Sequence, residues 1–313
     1  MLSRVAESVY WAARYLERVE NVARLVRSYN HLIMDIPVGS EPSWSVLLDI
    51  LEAKNQFSKI FRKETEKNVH SLLMGKEHAI CSIPFSINQA RENVRITRDV
   101  FPEEAWEQIN ELYLYTIDHR SAATSRRNRL LCLEETIQAC RAFAGLMHST
   151  ASRDNTYGFY KLGQFIERAD MTARIVNVGA GDVLDREGEF FAIDPLLWGA
   201  LLQALSGRSA YRREIGPIVA KDSFIDFVFK SKNFPRSIFF CLNELRRYVS
   251  LLPGGDDTLV SVDRLRRRLR RFNSDRKSRD ELNHFIDGLQ SALTKLDDDF
   301  EARWFQRPIE AKR

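Results

Sequence analysis

The chain has 313 residues, of which 44% are apolar and 29% charged, and its net charge is +4. This balance is typical of a folded globular chain and excludes a disordered one, while so small a charge does not by itself indicate a nucleic-acid partner. No apolar run approaches the roughly 18 residues of a membrane-spanning helix, so we expect no membrane partner.

Apolar residues recur with a helical period along nearly the whole chain, and alternating strand patterns are almost absent. Only 14 Gly and 9 Pro interrupt this pattern. The predicted fold class is therefore all-α. In chain order, we expect helices near 3–33, 43–62, 65–75, 83–99, 103–117, 128–150, 155–178, 195–207, 217–230, 235–251, 258–272 and 276–304.

One phrase of the sequence occurs twice. YLERVENVARLV, residues 15–26, returns 150 residues later as FIERADMTARIV, residues 165–176. Weaker matches follow in the same order, and the offset grows to 155 by the pair Ser82 and Ser237. We predict two tandem helical repeats, residues 1–150 and 151–313, packed as one bundle with an approximate two-fold axis.

The repeated phrase places charged residues on two sides of its helix. On a helical wheel, one polar face holds three residues in each copy: Glu17, Glu20 and Arg24, repeated as Glu167, Asp170 and Arg174. The acid and the arginine four residues later form a favourable pair on such a face.

Arg18 and Arg168 lie within the apolar arc instead. An arginine does not lose its proton, so burial there requires carboxylate or carbonyl partners. We expect a reciprocal arrangement in which Arg18 pairs with Glu167 and Arg168 with Glu17. Three interpretations stay open: an ion-pair network that holds two helices in register, a site for an anionic or peptide ligand between the halves, and a catalytic site.

Four segments resemble the Alpha-E proteins, a bacterial all-helical family with a Glu-Arg motif. They are MLSRVAESVYWAARYLERVENVARL (1–25), GLMHSTASRD (145–154), GFYKLGQFIERADMTARI (158–175) and KSKNFPRSIFFCLNEL (230–245). The resemblance covers nearly the whole chain, with Gln164 where the family usually has Arg and His148 where it usually has Asp.

This resemblance implies an all-helical protein whose biochemical role is uncharacterised. Family members tend to be encoded beside, or fused to, ATP-grasp ligases and transglutaminase-like proteases. The resemblance therefore implies these two enzymes as partners, in a pathway that makes, attaches or removes a peptide-like group.

Secondary candidates for binding lie outside the repeated phrase. Arg153 and Asp154 follow a cluster of Ser and Thr, and Asn233 precedes a proline. Helix termination and capping explain the first cluster, and a polar binding loop is the alternative. Histidine and carboxylate spacing indicates no metal site, and no nucleotide-binding motif is present, so we expect no cofactor.

Apolar residues recur at helical spacing through the arginine run at 264–271. This pattern indicates that the arginines lie on a solvated helix face and do not form a nucleic-acid site. We expect Asp297, Asp298 and Asp299 to neutralise it. The four cysteines form no CxxC pair, which indicates buried, reduced thiols and a cytoplasmic protein.

We therefore favour a helical scaffold or partner subunit without catalytic activity of its own, which works with the ligase and the protease in peptide synthesis or modification. A peptide-like ligand would bind between the repeated helices. The alternative is an enzyme in which Glu17 and Glu167 perform acid-base chemistry on a peptide-like substrate. That role requires a raised pKa and open space beside each carboxylate.

Overall fold

All regular structure in the computed structural model is helical, over the residues that it describes: 3–37, 41–184, 194–273 and 279–305. The predicted fold class is confirmed. Fifteen α-helices follow one another: α1 (Ser3–Asp35), α2 (Ser45–Ile50), α3 (Lys54–Ser58), α4 (Glu66–Gly75), α5 (Ile83–Ile96), α6 (Glu103–Asp118), α7 (Arg120–Thr124), α8 (Arg129–Thr150), α9 (Asn155–Leu184), α10 (Asp194–Ala204), α11 (Arg208–Glu214), α12 (Lys221–Lys230), α13 (Ile238–Val249), α14 (Asp256–Arg271) and α15 (Arg279–Phe300).

A 3-10 turn at Arg98–Val100 and a π turn at Glu301–Phe305 complete the described elements. None of the helices in these ranges is both long and apolar enough to cross a bilayer. The predicted start of the last helix at 276 lies outside the described residues.

The predicted helix at 43–62 is wrong, because the chain divides there into α2 and α3. Glu52 takes a left-handed conformation with φ of 51°, and the amide of Ala53 donates to Leu48 O at 2.7 Å. The left-handed residue and this hydrogen bond form a Schellman motif, which ends α2. No Gly or Pro marks it, and Phe57 beyond the break is buried like the residues before it, so the apolar period continues through the break.

Two short helices, α7 and α11, are missing from the predicted set, because five and seven residues are too few for a helical period to be recognised. Most other predicted bounds lie within about one turn of the observed ones.

Serine side chains start α5 and α13 in the same way. Ser82 Oγ accepts a hydrogen bond from the amide of Phe85 at 3.1 Å, and Ser237 Oγ accepts one from Phe240 at 3.0 Å. Each bond satisfies an amide that has no partner within its own helix.

The core is built around two long helices, α1 and α9, which pack against each other more extensively than any other pair. Helices α5, α8 and α10 surround α1, while α13, α15 and α2 surround α9. Because neighbours cover α1 on several sides, 20 of its residues are buried, charged ones included. The crossing of α1 and α9 therefore positions the repeated Glu-Arg phrase in the interior.

A glycine allows this crossing to be close. A Cβ atom added at Gly163 of α9 would overlap the backbone carbonyl of Tyr10 and lie 3.2 Å from the Cβ of Ala13 on α1. The neighbour is backbone, which cannot move aside as a flexible side chain can. The two helix axes would have to separate.

We predict that Gly163→Ala lowers the free energy of unfolding by about 1–3 kcal/mol, the usual cost of overpacking a core. Gly145→Ala is the matched control, because Gly145 is an exposed residue inside α8 with nothing within 4 Å of an added Cβ. That variant should gain up to about 1 kcal/mol from helix propensity. Urea unfolding measures both, and equal midpoints would contradict the close crossing.

Candidate functional site

The two repeated Glu-Arg pairs meet where α1 crosses α9, and each arginine binds the glutamate of the other helix. Arg18 donates to Glu167 from Nε at 2.6 Å and from Nη2 at 3.0 Å. Arg168 donates to Glu17 from Nε at 2.9 Å and from Nη2 at 2.7 Å. The predicted reciprocal pairing is confirmed, and both contacts have the two-bond geometry that suits guanidinium and carboxylate.

Each glutamate also binds a second arginine, which the sequence did not reveal. Arg236, just before α13, donates to Glu17 at 2.7 Å and to Glu20 at 2.9 Å. Arg14, one turn before Arg18, donates to Glu167 at 3.0 Å. The sequence signal for both is weak: Arg14 shares a helix face with Arg18, and Arg236 lies inside the segment 230–245, which resembles the family.

The polar face of α1 is buried. Glu17, Glu20 and Arg24 are only 3%, 7% and 1% exposed. Arg24 donates to Asn21 at 2.7 Å and to Ser206 at 3.1 Å, and its Nε lies 3.6 Å from Glu20, as expected for the i,i+4 pair. Burial, reinforced by the charge of Arg236, lowers the pKa of Arg24 well below its usual value.

The corresponding face of α9 is more open. Arg174 Nε donates to Asp170 at 2.8 Å, and its Nη1 lies 2.9 Å from a carboxylate oxygen of Glu52. Burial raises the pKa of Asp170, against the opposing charge of Arg174. Both side chains retain some contact with solvent.

The electrostatics of Glu17 and Glu167 do not suit a general base. Burial raises the pKa of each carboxylate, but the paired guanidinium groups outweigh it. Arg168 and Arg236 hold the pKa of Glu17 far below its usual range, and Arg18 with Arg14 lowers that of Glu167 to about 2. A base with so low a pKa accepts protons poorly near neutral pH.

Beside the crossing lies a pocket of about 240 Å³, which we call the motif pocket. Four of the eight predicted site residues line it: Arg18, Glu167, Asp170 and Arg174. The other four form a closed cluster with Arg236 and line no part of the pocket: Glu17, Glu20, Arg24 and Arg168.

The secondary candidates do not join this site. Arg153 donates to the carbonyl of Ala151 at 3.1 Å and lies over the ring of Tyr157 at 4.0 Å. Asp154 accepts from the amide of Tyr157 at 3.2 Å, so these two residues end α8 and start α9 as the capping interpretation expects. Asn233 is exposed, and its amide donates to Ser231.

The arginine run of α14 covers a solvated face, since Val262, Leu265 and Leu269 are buried beneath it. The expected neutralisation by Asp297 is wrong. Asp297 accepts hydrogen bonds from Tyr10 and Arg14, because α15 packs with α9 and brings this carboxylate to the α1 crossing.

All four cysteines are free and buried, as expected. Within the described ranges, no group of three or more His, Cys, Asp or Glu side chains could hold a metal ion.

We predict that Arg236→Met destabilises the fold by about 3–5 kcal/mol, because it removes one of the two arginines that bind the buried Glu17 and the hydrogen bond that the buried Glu20 accepts. Arg247→Met is the control: this arginine lies on α13 nearby, but its side chain is 65% exposed. The control should change stability by less than about 0.5 kcal/mol. Chemical unfolding followed by circular dichroism measures the difference, and unchanged stability of Arg236→Met would show that the cluster does not support the fold.

Acid should weaken the fold through Glu167. Its pKa is about 2 when folded, against an ordinary value of 4.5, so the unfolded chain binds more protons between these pH values. The free energy of unfolding should therefore fall as pH drops from about 5 to 2, by on the order of 3 kcal/mol from this residue.

Glu167→Gln should lower stability at pH 7 and reduce this pH dependence in urea unfolding between pH 7 and 3, while Glu17 keeps its own contribution. Glu107→Gln, an exposed glutamate on α6, should leave the slope as it is in the unaltered chain. A slope in Glu167→Gln as steep as that of the unaltered chain would contradict the prediction.

In a comparison with protein families, residues 1–305 fit the model of Alpha-E, described as a predicted alpha-helical domain with a conserved ER motif. Neither the curated proteins nor the solved structures contain a match to this chain.

Proposed function

Since the chain belongs to the Alpha-E family, we propose that it is a non-catalytic helical scaffold. In this proposal the Glu-Arg motif is a buried ion-pair network that stabilises the scaffold. The observation that carries this proposal is the closure of both motif glutamates. Glu17 and Glu167 each bind two arginines and have strongly lowered pKa values. Interactions of this kind hold two helices in register, and they leave neither carboxylate free for acid-base work.

We further propose that the scaffold consists of two duplicated halves related by an approximate two-fold axis. Three kinds of equivalent local structure support this. The Glu-Arg pairs are reciprocal, Ser82 and Ser237 cap their helices alike, and α2 and α10 are followed by left-handed residues, Glu52 and Ser206, with φ of 51° and 54°. We propose that residues 1–150 and 151–313 form one packed unit, because α1 and α9 pack against each other more extensively than any other pair of helices.

The proposed partners are an ATP-grasp ligase and a transglutaminase-like protease, acting with this chain in the cytoplasm on a peptide-like group. This part of the proposal rests on the family resemblance. The motif pocket is where we place the contact, because four motif residues line it together with Ile80, an apolar side chain that is 54% exposed.

Co-purification tests the scaffold role. The full chain, mixed with an ATP-grasp ligase encoded beside it, should form a complex on size exclusion and change the ligase's rate of ATP turnover. The chain alone should turn over no ATP. If the two proteins neither associate nor affect each other's activity, the scaffold role is overturned.

A substitution in the lining of the motif pocket tests whether the ligase binds there. Ile80→Arg should weaken the complex at least about tenfold, the effect of losing one well-packed interface side chain. Leu131→Arg is the matched control, because Leu131 is 62% exposed on α8 but does not line the pocket. Equal binding by both variants would place the contact elsewhere on the scaffold.

A further inference from the structure

We propose that the motif pocket binds an alkyl guanidinium group, as carried by an arginine side chain, because Arg236 of this chain fills the equivalent space in the other half. The inference rests on the proposed duplication. It deepens the proposed function by naming the chemical class that the pocket takes.

The equivalence of positions 81 and 236 follows from the helix starts. Ser82 and Ser237 each accept a hydrogen bond from the amide three residues later, at 3.1 and 3.0 Å, and each donates to the carbonyl six residues earlier. The residue directly before each serine is Cys81 in one half and Arg236 in the other. A long cationic side chain in one half therefore corresponds to a short neutral one in the other.

The groups around these two positions also correspond. Arg236 donates to three side chains of α1: Glu17, Glu20 and Asn21. The residues 150 positions later on α9 are Glu167, Asp170 and Met171, and all three line the motif pocket together with Cys81. The pocket is therefore the space where a guanidinium group lies in the other half.

The charge of the lining favours a cation. Three carboxylates and two guanidinium groups line the pocket: Glu52, Glu167, Asp170, Arg18 and Arg174. Arg14 does not line the pocket but also donates to Glu167, and its charge is shared with Asp297, so the surroundings keep their excess of carboxylates. The equivalent residue in the other half is the neutral Gln164. Glu167 is thereby satisfied, so Asp170 is the carboxylate left to receive a ligand.

Two hydrogen-bond acceptors in the pocket, the Asp170 carboxylate and Gln56 Oε1, can accept further hydrogen bonds. Among the described residues, Asp170 accepts one side-chain hydrogen bond, from Arg174 to Oδ2. Gln56 Oε1 is buried and accepts none. A ligand that fills the pocket must therefore bring N–H donors, and a guanidinium group presents several in one plane.

The remaining wall suits a methylene stem. Val22, Leu51, Met171 and Ile80 line the pocket beside the acidic groups. Arginine commonly packs its methylene groups along apolar surface while its charged end meets polar partners. The ligand is therefore an arginine side chain, free or within a peptide, and not an anion.

Calorimetric titration of the full chain with arginine amide tests this. We expect one site, with binding at least about tenfold weaker for citrulline amide, the neutral isostere, because a hydrogen bond to a charged group is lost. Acetyl-Gly-Arg-Gly-amide distinguishes the sources. Tighter binding than arginine amide identifies a peptide side chain, and equal or weaker binding identifies a free small cation. Equal binding of arginine and citrulline amides, or no binding of either, overturns the proposal.

Substitutions locate the binding. Cys81→Arg supplies the chain's own guanidinium and should abolish binding, whereas Cys81→Ser keeps the space open and should bind like the unaltered chain. Should Cys81→Arg fail to fold, Asp170→Asn decides, with affinity expected to fall about tenfold or more. Unchanged binding by a folded Cys81→Arg, or by Asp170→Asn, overturns the assignment to this pocket.

The other half provides a reciprocal measurement. Arg236→Cys should open a second space of the same kind, so arginine amide should raise the melting temperature of this variant more than that of the unaltered chain. An equal rise would contradict the equivalence of the two halves.

These titrations use the isolated chain, so they separate the two proposals. If arginine amide does not bind but the chain still forms a complex with the ligase, only the proposed ligand class is overturned. If arginine amide binds but no complex forms, only the scaffold role is overturned.

Discussion

Glu17 and Glu167 are buried where α1 crosses α9, and each is matched there by two arginines. A buried carboxylate without such partners would cost several kcal/mol, so the helices can approach only if the guanidinium groups arrive with them. Two neighbouring elements supply further charged side chains to the crossing. The loop before α13 brings Arg236, and α15 brings Asp297 to Arg14.

Glu17 and Glu167 receive their second arginines from different elements, and the difference has a structural consequence. Arg236 reaches Glu17 from the loop before α13 and fills the space beside it. Arg14 reaches Glu167 from within α1, and Cys81 lines the pocket beside Glu167. Both carboxylates are paired, and an open pocket lies beside Glu167, whereas Glu17 does not line it. An ion-pair network and a pocket thus share one motif.

Some of this arrangement could be predicted from residue spacing. Arg18 and Arg168 lie within apolar arcs, and a guanidinium there requires a partner, which led to the reciprocal pairs. Arg236 and Arg14 could not be found in this way. Arg236 lies in a loop whose direction no periodicity describes, and Arg14 borders a helix face that looks like an ordinary continuation of the pattern. Nearness in sequence to the arginine run likewise misplaces Asp297, because it does not show that α15 packs against α9.

The sequence by itself determined the all-helical class, most helix bounds and the cross-pairing of the repeated Glu-Arg residues. The first two depend on local backbone preference and apolar period, which each segment carries by itself. The cross-pairing follows from the cost of burying a charge together with the repetition of the phrase. Only the tertiary structure decided which second arginine each glutamate binds, that the polar face of α1 is buried, and that a pocket remains beside α9. Those outcomes depend on which elements meet in space, as where the loop before α13 brings Arg236 to Glu17 and Glu20.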